Sequence, residues 1–187
     1  MPTADSSKNG FPVVILVGIS GVGKSELARQ LELDHRWLHI NVDEGGGFEK
    51  VGLARGWGSL EEQRDGAPLA HAVIDRARSL GKVGAVLSLP SDCMMHVERV
   101  RAADAGGLKT IVLWGDWELC KTARRARDQK AGDPPVEDER YERINKPAYD
   151  TYGSDDFLHL RVDAFGPDDE RVAVALTARA VLRSVWP

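Results

Sequence analysis

Five short runs of apolar residues alternate along this chain of 187 residues with segments whose apolar residues recur at helical spacing. The apolar runs are rich in β-branched residues and predict buried strands over residues 11–17, 37–42, 83–89, 108–114 and 157–162. The segments between them predict helices from about Gly23, from Ser59, over 69–80, from Ser91 or Asp92 to 106, over 116–130, over 141–152 with a turn, and over 167–184. This alternation predicts an α/β fold, with a parallel sheet covered by helices on both faces and ligands at the carboxyl ends of the strands.

The connection between the first strand and the first helix is rich in glycine. Residues 18–25 read GISGVGKS and match the pattern G-x-x-x-x-G-K-[ST] of a phosphate-binding loop, or P-loop. Glycines let backbone N–H groups turn toward phosphate oxygens, and the helix N-terminus adds partial positive charge. We expect Lys24 to reach the β- and γ-phosphates of ATP and the Ser25 hydroxyl to hold Mg²⁺. The residues expected to bind ATP are Gly18, Ser20, Gly21, Val22, Gly23, Lys24 and Ser25.

Two carboxylates follow predicted strands, where the fold places a site. Asp43 comes directly after the second strand and can accept the proton of a substrate hydroxyl as that hydroxyl attacks phosphorus. The alternative interpretation is a turn-forming aspartate before glycines, and Glu44 takes the role of base if the register differs by one. Asp92 follows the third strand and either binds Mg²⁺ through water or caps the next helix.

A cluster of basic residues precedes a Gly-Pro break at residues 131–135, AGDPP. Arg124 and Arg127 share one helix face by their spacing, and so do Lys121 and Arg125. We interpret the break as the tip of a mobile lid whose arginines stabilise the transferred phosphoryl group, Arg124 first and Arg127 second. The competing interpretation is a solvated basic helix face. The cluster consists of Lys121, Arg124, Arg125, Arg127 and Lys130.

Other residues add weaker indications. Trp57 lies in the glycine-containing loop, where it can stack on a substrate or fill the loop core, and Arg99 can hold an anionic substrate or lie at the surface. Cys93 and Cys120 show no metal-type spacing and suggest thiols in a reducing compartment. Because residues 1–9 carry no apolar signal and no apolar run has bilayer length, we expect a cytoplasmic protein without a membrane segment.

The bulk charge and the strand ends narrow the function classes. A net charge of −4 disfavours non-specific nucleic-acid binding. We find no strand ending in the acidic pair that activates water in many ATPases. The guanine-reading Asn-Lys-x-Asp pattern is also missing, because Asn145 and Lys146 are followed by Pro147 without its Asp.

Residues 13–182 resemble the small P-loop kinases of metabolites, namely adenylylsulfate, gluconate and shikimate kinases, at the level of motifs outside the P-loop. The stretch GSLEEQR at 58–64 is similar to the Gly-Phe-Ser-x-x-x-Arg of adenylylsulfate kinases, whereas the glycines at 45–47 depart from their pattern. The turn NVDE at 41–44 is also similar to the Asn-x-Asp-Asp turn of polynucleotide 5′-kinases, whose first Asp is the general base. The resemblance implies Asp43 as base and a sheet order of 2-3-1-4-5.

The sequence therefore predicts one P-loop kinase domain over residues 1–187, with a flexible N-terminus at 1–10 and a lid region at about 124–152. It would transfer the γ-phosphoryl group of ATP, with Mg²⁺, to a hydroxyl of a small-molecule metabolite bound over Asp43, Trp57 and Arg99. One alternative acceptor is a nucleoside, a nucleotide or a polynucleotide 5′-OH, the one role in which nucleic acid is expected. An ATP-binding regulatory module acting on a protein partner is the alternative of another class. The acceptor, the preference for ATP over GTP and the oligomeric state are left open.

Overall fold

The computed structural model describes residues 10–42, 47–52, 67–91, 96–166 and 172–185. Strands and helices alternate along the chain, as the apolar pattern predicts. The elements are β1 Val13–Val17, α1 Lys24–His35, β2 Trp37–Asn41, α2 Gly47–Lys50, α3 Ala67–Ser79, β3 Gly84–Ser88, α4 Val97–Ala105, β4 Lys109–Trp114, α5 Trp117–Ala131, α6 Asp138–Gly153, a 3₁₀ helix Asp155–Leu160, β5 Arg161–Asp163 and α7 Val174–Val185.

The five strands form one parallel sheet in the order β2-β3-β1-β4-β5, with helices packed around it. In the central strand, Ile15 lies between Leu87 of β3 and Thr110 of β4, and every residue of β1 is buried. The strand order changes direction at β1, which is where open α/β sheets bind ligands. The fold class and the strand order are both confirmed, and the P-loop follows β1 at this point.

The fifth strand is shorter than the sequence pattern suggests. Residues 157–162 were expected to be extended, but a 3₁₀ helix occupies Asp155–Leu160, and only Arg161–Asp163 pairs with β4. Phe157 is buried against the ring of Tyr152, whereas the side chain of Leu158 is 60% exposed. The apolar side chains of this run therefore do not occupy the two faces of one buried strand, so the expected strand is wrong over its first part.

Two helix boundaries also differ from expectation. Helix α4 begins at Val97 with His96 at its N-cap, so neither Ser91 nor Asp92 caps it. Helix α7 begins at Val174 rather than near residue 167, because the N–H of Val172 donates instead to the carbonyl of Ala164. Residues 92–95 and 167–171 lie outside the described part of the chain.

Helix α6 is longer than the short helix and turn expected over 141–152. It continues through Pro147, which has no N–H to donate to the carbonyl of Arg143. Both residues are exposed, so water can satisfy that carbonyl. The expected start of α5 is correct, because the Asp116 carboxylate accepts hydrogen bonds from the backbone N–H groups of Glu118 and Leu119.

Two expectations from composition can be compared with the described residues. No helix among them is both long and apolar enough to cross a bilayer. Cys120 is buried in α5, and Cys93 lies outside the described residues.

Candidate active site

The P-loop leaves β1 and enters α1 through backbone that favours glycine. Gly18, Gly21 and Gly23 have φ values of 142°, 89° and 104°, and Gly23 is the N-cap of α1. A Cβ atom on Gly21 would lie 1.9 Å from the carbonyl oxygen of Cys120, and one on Gly18 would lie 2.5 Å from that of Leu113. The loop therefore packs directly against the backbone of α5 and the end of β4, and only glycine fits there.

Lys24 lies at the start of α1 with its ammonium group over the loop. Its Nζ donates hydrogen bonds to the carbonyl oxygens of Gly18 at 2.8 Å and Ile19 at 3.1 Å. Phosphate oxygens are stronger acceptors for an ammonium group than neutral carbonyls, so a polyphosphate can take over this donor. The arrangement keeps a positive charge at the mouth of the loop.

The loop opens into a cleft of 490 Å³ between α1, α5 and the carboxyl ends of β2 and β3. Ser25 lines this cleft, and so does Asn41, whose Oδ1 accepts a 3.3 Å hydrogen bond from the Ser88 hydroxyl. Among the described residues, the charged ones that line the cleft are mostly basic. They are Lys24, Arg29, Arg124, Arg127 and Lys130, with Glu26 as the acidic member. A cleft with this balance attracts anions.

Arg124 is held at the wall of the cleft by a buried carboxylate. Its Nε lies 2.8 Å from Oδ1 and 2.9 Å from Oδ2 of Asp128, one helical turn further along α5, and the Asp128 side chain is only 6% exposed. Arg127 lies further from the same carboxylate, at 3.7 Å, and is 58% exposed. Arg124 is thus fixed in direction, whereas Arg127 is largely solvated.

A second cavity of 520 Å³ lies on the other side of Arg124. Residues 133–137, between α5 and α6, form part of its wall together with Pro90 and Arg140. Of the residues that the structure describes, three line both the cleft and this cavity, namely Ser20, Ser91 and Arg124. The two spaces therefore meet at the P-loop and the third strand end, which is a suitable arrangement for two ligands that react with each other.

The structure brings part of the predicted site together. The cleft is lined by Arg124, Arg127 and five of the residues expected to bind ATP, namely Ser20, Gly21, Gly23, Lys24 and Ser25. Val22 instead packs into the core at 1% exposure. Arg99 lies on α4 and lines neither space. The remaining predicted residues, Asp43, Glu44, Trp57 and Asp92, lie outside the described residues.

Two residues of α6 contact the P-loop, and no sequence pattern indicated this. The Tyr141 hydroxyl donates to the carbonyl oxygen of Ser20 at 2.8 Å, and the Ser20 N–H donates to Oδ1 of Asn145 at 2.8 Å. Burial raises the pKa of Tyr141 well above its ordinary value, so its hydroxyl stays protonated as a donor. The spacing of Tyr141 and Asn145 places them on one helix face, but it does not reveal what that face contacts.

The residues present fit Mg²⁺ that binds together with ATP. Within the described ranges, no group of three or more His, Cys, Asp or Glu side chains lies close enough to hold a metal ion. Mg²⁺ in nucleotide sites keeps several water ligands and takes the rest from phosphate oxygens and one or two protein oxygens. The Ser25 hydroxyl in the cleft is a suitable ligand of that kind.

Comparison with known proteins places the fold. No protein-family model matches the sequence, and no curated protein matches it significantly. Shikimate kinase from Acinetobacter baumannii in complex with shikimate aligns with a TM-score of 0.53 at 17% identity, over 96% of each chain. A gluconokinase from Sinorhizobium meliloti 1021 aligns with a TM-score of 0.52 at 15% identity, over 93% of this chain and 91% of the gluconokinase chain. The tunicamycin resistance protein of Deinococcus radiodurans aligns with a TM-score of 0.51 at 18% identity, over 94% of this chain and 96% of its own chain.

At these identities the likeness concerns the fold. The chain has the fold of the small P-loop metabolite kinases, as its resemblance to gluconate and shikimate kinases predicted.

Proposed function

We propose that this protein is an ATP-dependent kinase that transfers the γ-phosphoryl group to a hydroxyl of a small molecule. The observation that carries this proposal is that the P-loop lysine and Arg124 line one cleft, which adjoins a second cavity through shared residues. An ATPase needs room for water beside its phosphate site, whereas a kinase needs a place for a second organic ligand. The second cavity lies within the size range typical of small-molecule sites.

On the donor side, the P-loop amides and Lys24 bind the phosphates of ATP, and Ser25 contributes its hydroxyl to Mg²⁺. The bound Mg²⁺ neutralises part of the phosphate charge. Charge spreads over the oxygens of the transferred phosphoryl group, and Arg124 supplies the opposite charge from the cleft wall. Arg127, on the same helix face, is the second candidate for this role.

On the acceptor side, Asp43 is the proposed base. Asn41 lines the cleft two residues earlier, and the N–H of Val42 donates to the carbonyl of Ser88 at 3.1 Å, which continues the pairing of β2 with β3. Asp43 follows Val42 directly in the chain, which supports its assignment as the base. The Asp43 carboxylate would take the proton of an acceptor hydroxyl that extends from the second cavity into the cleft. Closure of the lid region over the cleft would exclude water, which otherwise competes as acceptor.

The test is ADP release with Mg²⁺ and ATP in the presence of single acceptors. The panel contains sugar acids, polyols, other hydroxyl metabolites, nucleosides and oligonucleotides with a free 5′-OH. We expect stimulation by one small molecule, and we expect Lys24→Met and Asp43→Asn to remove it. Lys109→Met is the matched control, because Lys109 is the first residue of β4 and lies at the amino ends of the parallel strands, whereas the P-loop follows the carboxyl end of β1. Stimulation confined to 5′-OH oligonucleotides, or to a protein partner, would overturn the small-molecule proposal.

A further inference from the structure

One residue of the P-loop is bound on both sides by a single face of α6. Asn145 accepts the hydrogen bond of the Ser20 N–H, and Tyr141 donates to the Ser20 carbonyl oxygen, each at 2.8 Å. Tyr141 and Asn145 lie one helical turn apart and together form what we call the clamp. Both backbone groups of Ser20 are thus engaged by one rigid element.

The clamp is itself held in place. Nδ2 of Asn145 donates to the backbone carbonyl of Tyr141 at 2.9 Å, which fixes the orientation of the amide group. The ring of Trp117 packs edge-on against Tyr141 with centroids 5.1 Å apart. Tyr141 and Asn145 are 1% and 2% exposed, so water cannot easily replace either bond to Ser20.

The clamp also faces the second cavity. Tyr141 and Asn145 line that cavity, and Ser20 lines both the cavity and the cleft. A further bond, 2.9 Å between the hydroxyl oxygens of Ser20 and Ser91, ties the loop to the end of β3. The first half of the P-loop is therefore held from the side on which the proposed acceptor would bind.

We propose that Tyr141 and Asn145 are positioning residues that keep the P-loop in its phosphate-binding conformation. The proposal rests on the proposed function, because it assigns these residues to the ATP site. Ser20 directly precedes residues 21–25, whose amides would surround the phosphates, so fixing its peptide groups fixes where those amides point. Without the clamp, the loop would have to be ordered when the nucleotide binds, and this conformational cost would weaken binding.

The test uses calorimetry with ADP and Mg²⁺ on Tyr141→Phe and Asn145→Ala. We expect each substitution to raise the Kd for ADP by roughly threefold to tenfold, which corresponds to the typical contribution of one hydrogen bond. The KM for ATP should rise by a similar factor. Tyr149→Phe is the matched control, because Tyr149 also lies on α6 and packs edge-on against the ring of Trp117, but lines neither the cleft nor the second cavity. It should lower the melting temperature much as Tyr141→Phe does while leaving the ADP affinity unchanged.

Unchanged or tighter ADP binding by Tyr141→Phe would overturn the clamp while leaving the proposed function intact, provided that the wild-type protein binds ADP and phosphorylates an acceptor. If the wild-type protein bound no nucleotide, the proposed function would fall first and the clamp with it. Tyr141→Phe removes a single oxygen atom, so it decides the question even if Asn145→Ala fails to fold.

Discussion

The P-loop and the helix pair α5–α6 form the two sides of the same site, but they are built in different ways. The P-loop places its glycines, lysine and serine within residues 18–25, so chain connectivity alone brings them together. Helix α6 acts on the site through hydrogen bonds that join Tyr141 and Asn145 to Ser20. These two residues lie 121 and 125 positions further along the chain than Ser20. One side of the site can therefore be recognised as a sequence motif, whereas the other side depends on how the helices pack.

The basic cluster of α5 shows the same contrast on a smaller scale. Its members look alike in sequence, but Arg124 and Arg127 line the cleft, whereas Lys121 and Arg125 turn to Asp138 at the start of α6. This division follows the helix faces that the spacing predicted. Which face would meet the P-loop and which would meet α6 was decided by packing.

The largest expected effect concerns the cleft face of α5. We expect Arg124→Ala to lower kcat about a thousandfold, because its charge would no longer stabilise the transferred phosphoryl group. Arg125→Ala serves as control, since it removes the neighbouring guanidinium on the other face and should change kcat little. Steady-state kinetics with the acceptor identified by ADP release measures both. An equal loss of kcat in the two variants would show that the helix face on which an arginine lies does not decide its role in catalysis.

The second prediction tests the contact between the P-loop and α5. Gly21→Ala should destabilise the protein by roughly 3 kcal/mol, because the new Cβ meets the Cys120 carbonyl in addition to the strain of a positive φ. Gly132→Ala provides the matched comparison: its φ is +79°, but nothing lies within 4 Å of its Cβ position. We expect about 1 kcal/mol there, from backbone strain alone. Urea denaturation measures the free energy of unfolding of both variants. Similar losses of stability would show that contact with the Cys120 carbonyl does not explain why residue 21 is a glycine.

The smallest expected effect concerns the face of α5 that meets α6. The hydrogen bond from Lys121, at 2.9 Å, holds the pKa of the Asp138 carboxyl below its usual value, and Arg125 adds to this. A carboxyl whose pKa is lower in the folded protein stabilises the fold above its unfolded pKa and loses that contribution as the pH falls through its folded pKa.

Asp138→Asn should therefore cost a little stability at neutral pH and progressively less below about pH 4. The cost is small because Asp138 is largely exposed, and 1 M salt should reduce it further. Denaturant titrations at neutral and acidic pH compare the variant with the wild-type protein. A cost that did not change with pH would show that the carboxylate charge does not join the two helices.

Much of the fold was predictable from local pattern. The strands β1 to β4 and the start of α5 were predicted because buried β-branched runs and an Asp cap carry their signal within a few residues. The first part of the fifth strand was wrong, since the same apolar pattern over 157–162 suits a 3₁₀ helix whose Phe157 packs on Tyr152. Short apolar runs do not distinguish these structures without knowledge of the neighbouring elements.

By itself, the sequence determined the P-loop motif between a buried strand and a helix, because eight consecutive residues carry both its glycines and its positive charge. It also determined the spacing that places Arg124 and Arg127 on one helix face. Only the tertiary structure decided that this face meets the P-loop, that Asp128 orients Arg124, and that Tyr141 and Asn145 bind Ser20. Such contacts join segments far apart in the chain, and their free energy depends on burial and geometry that exist only after the helices have packed.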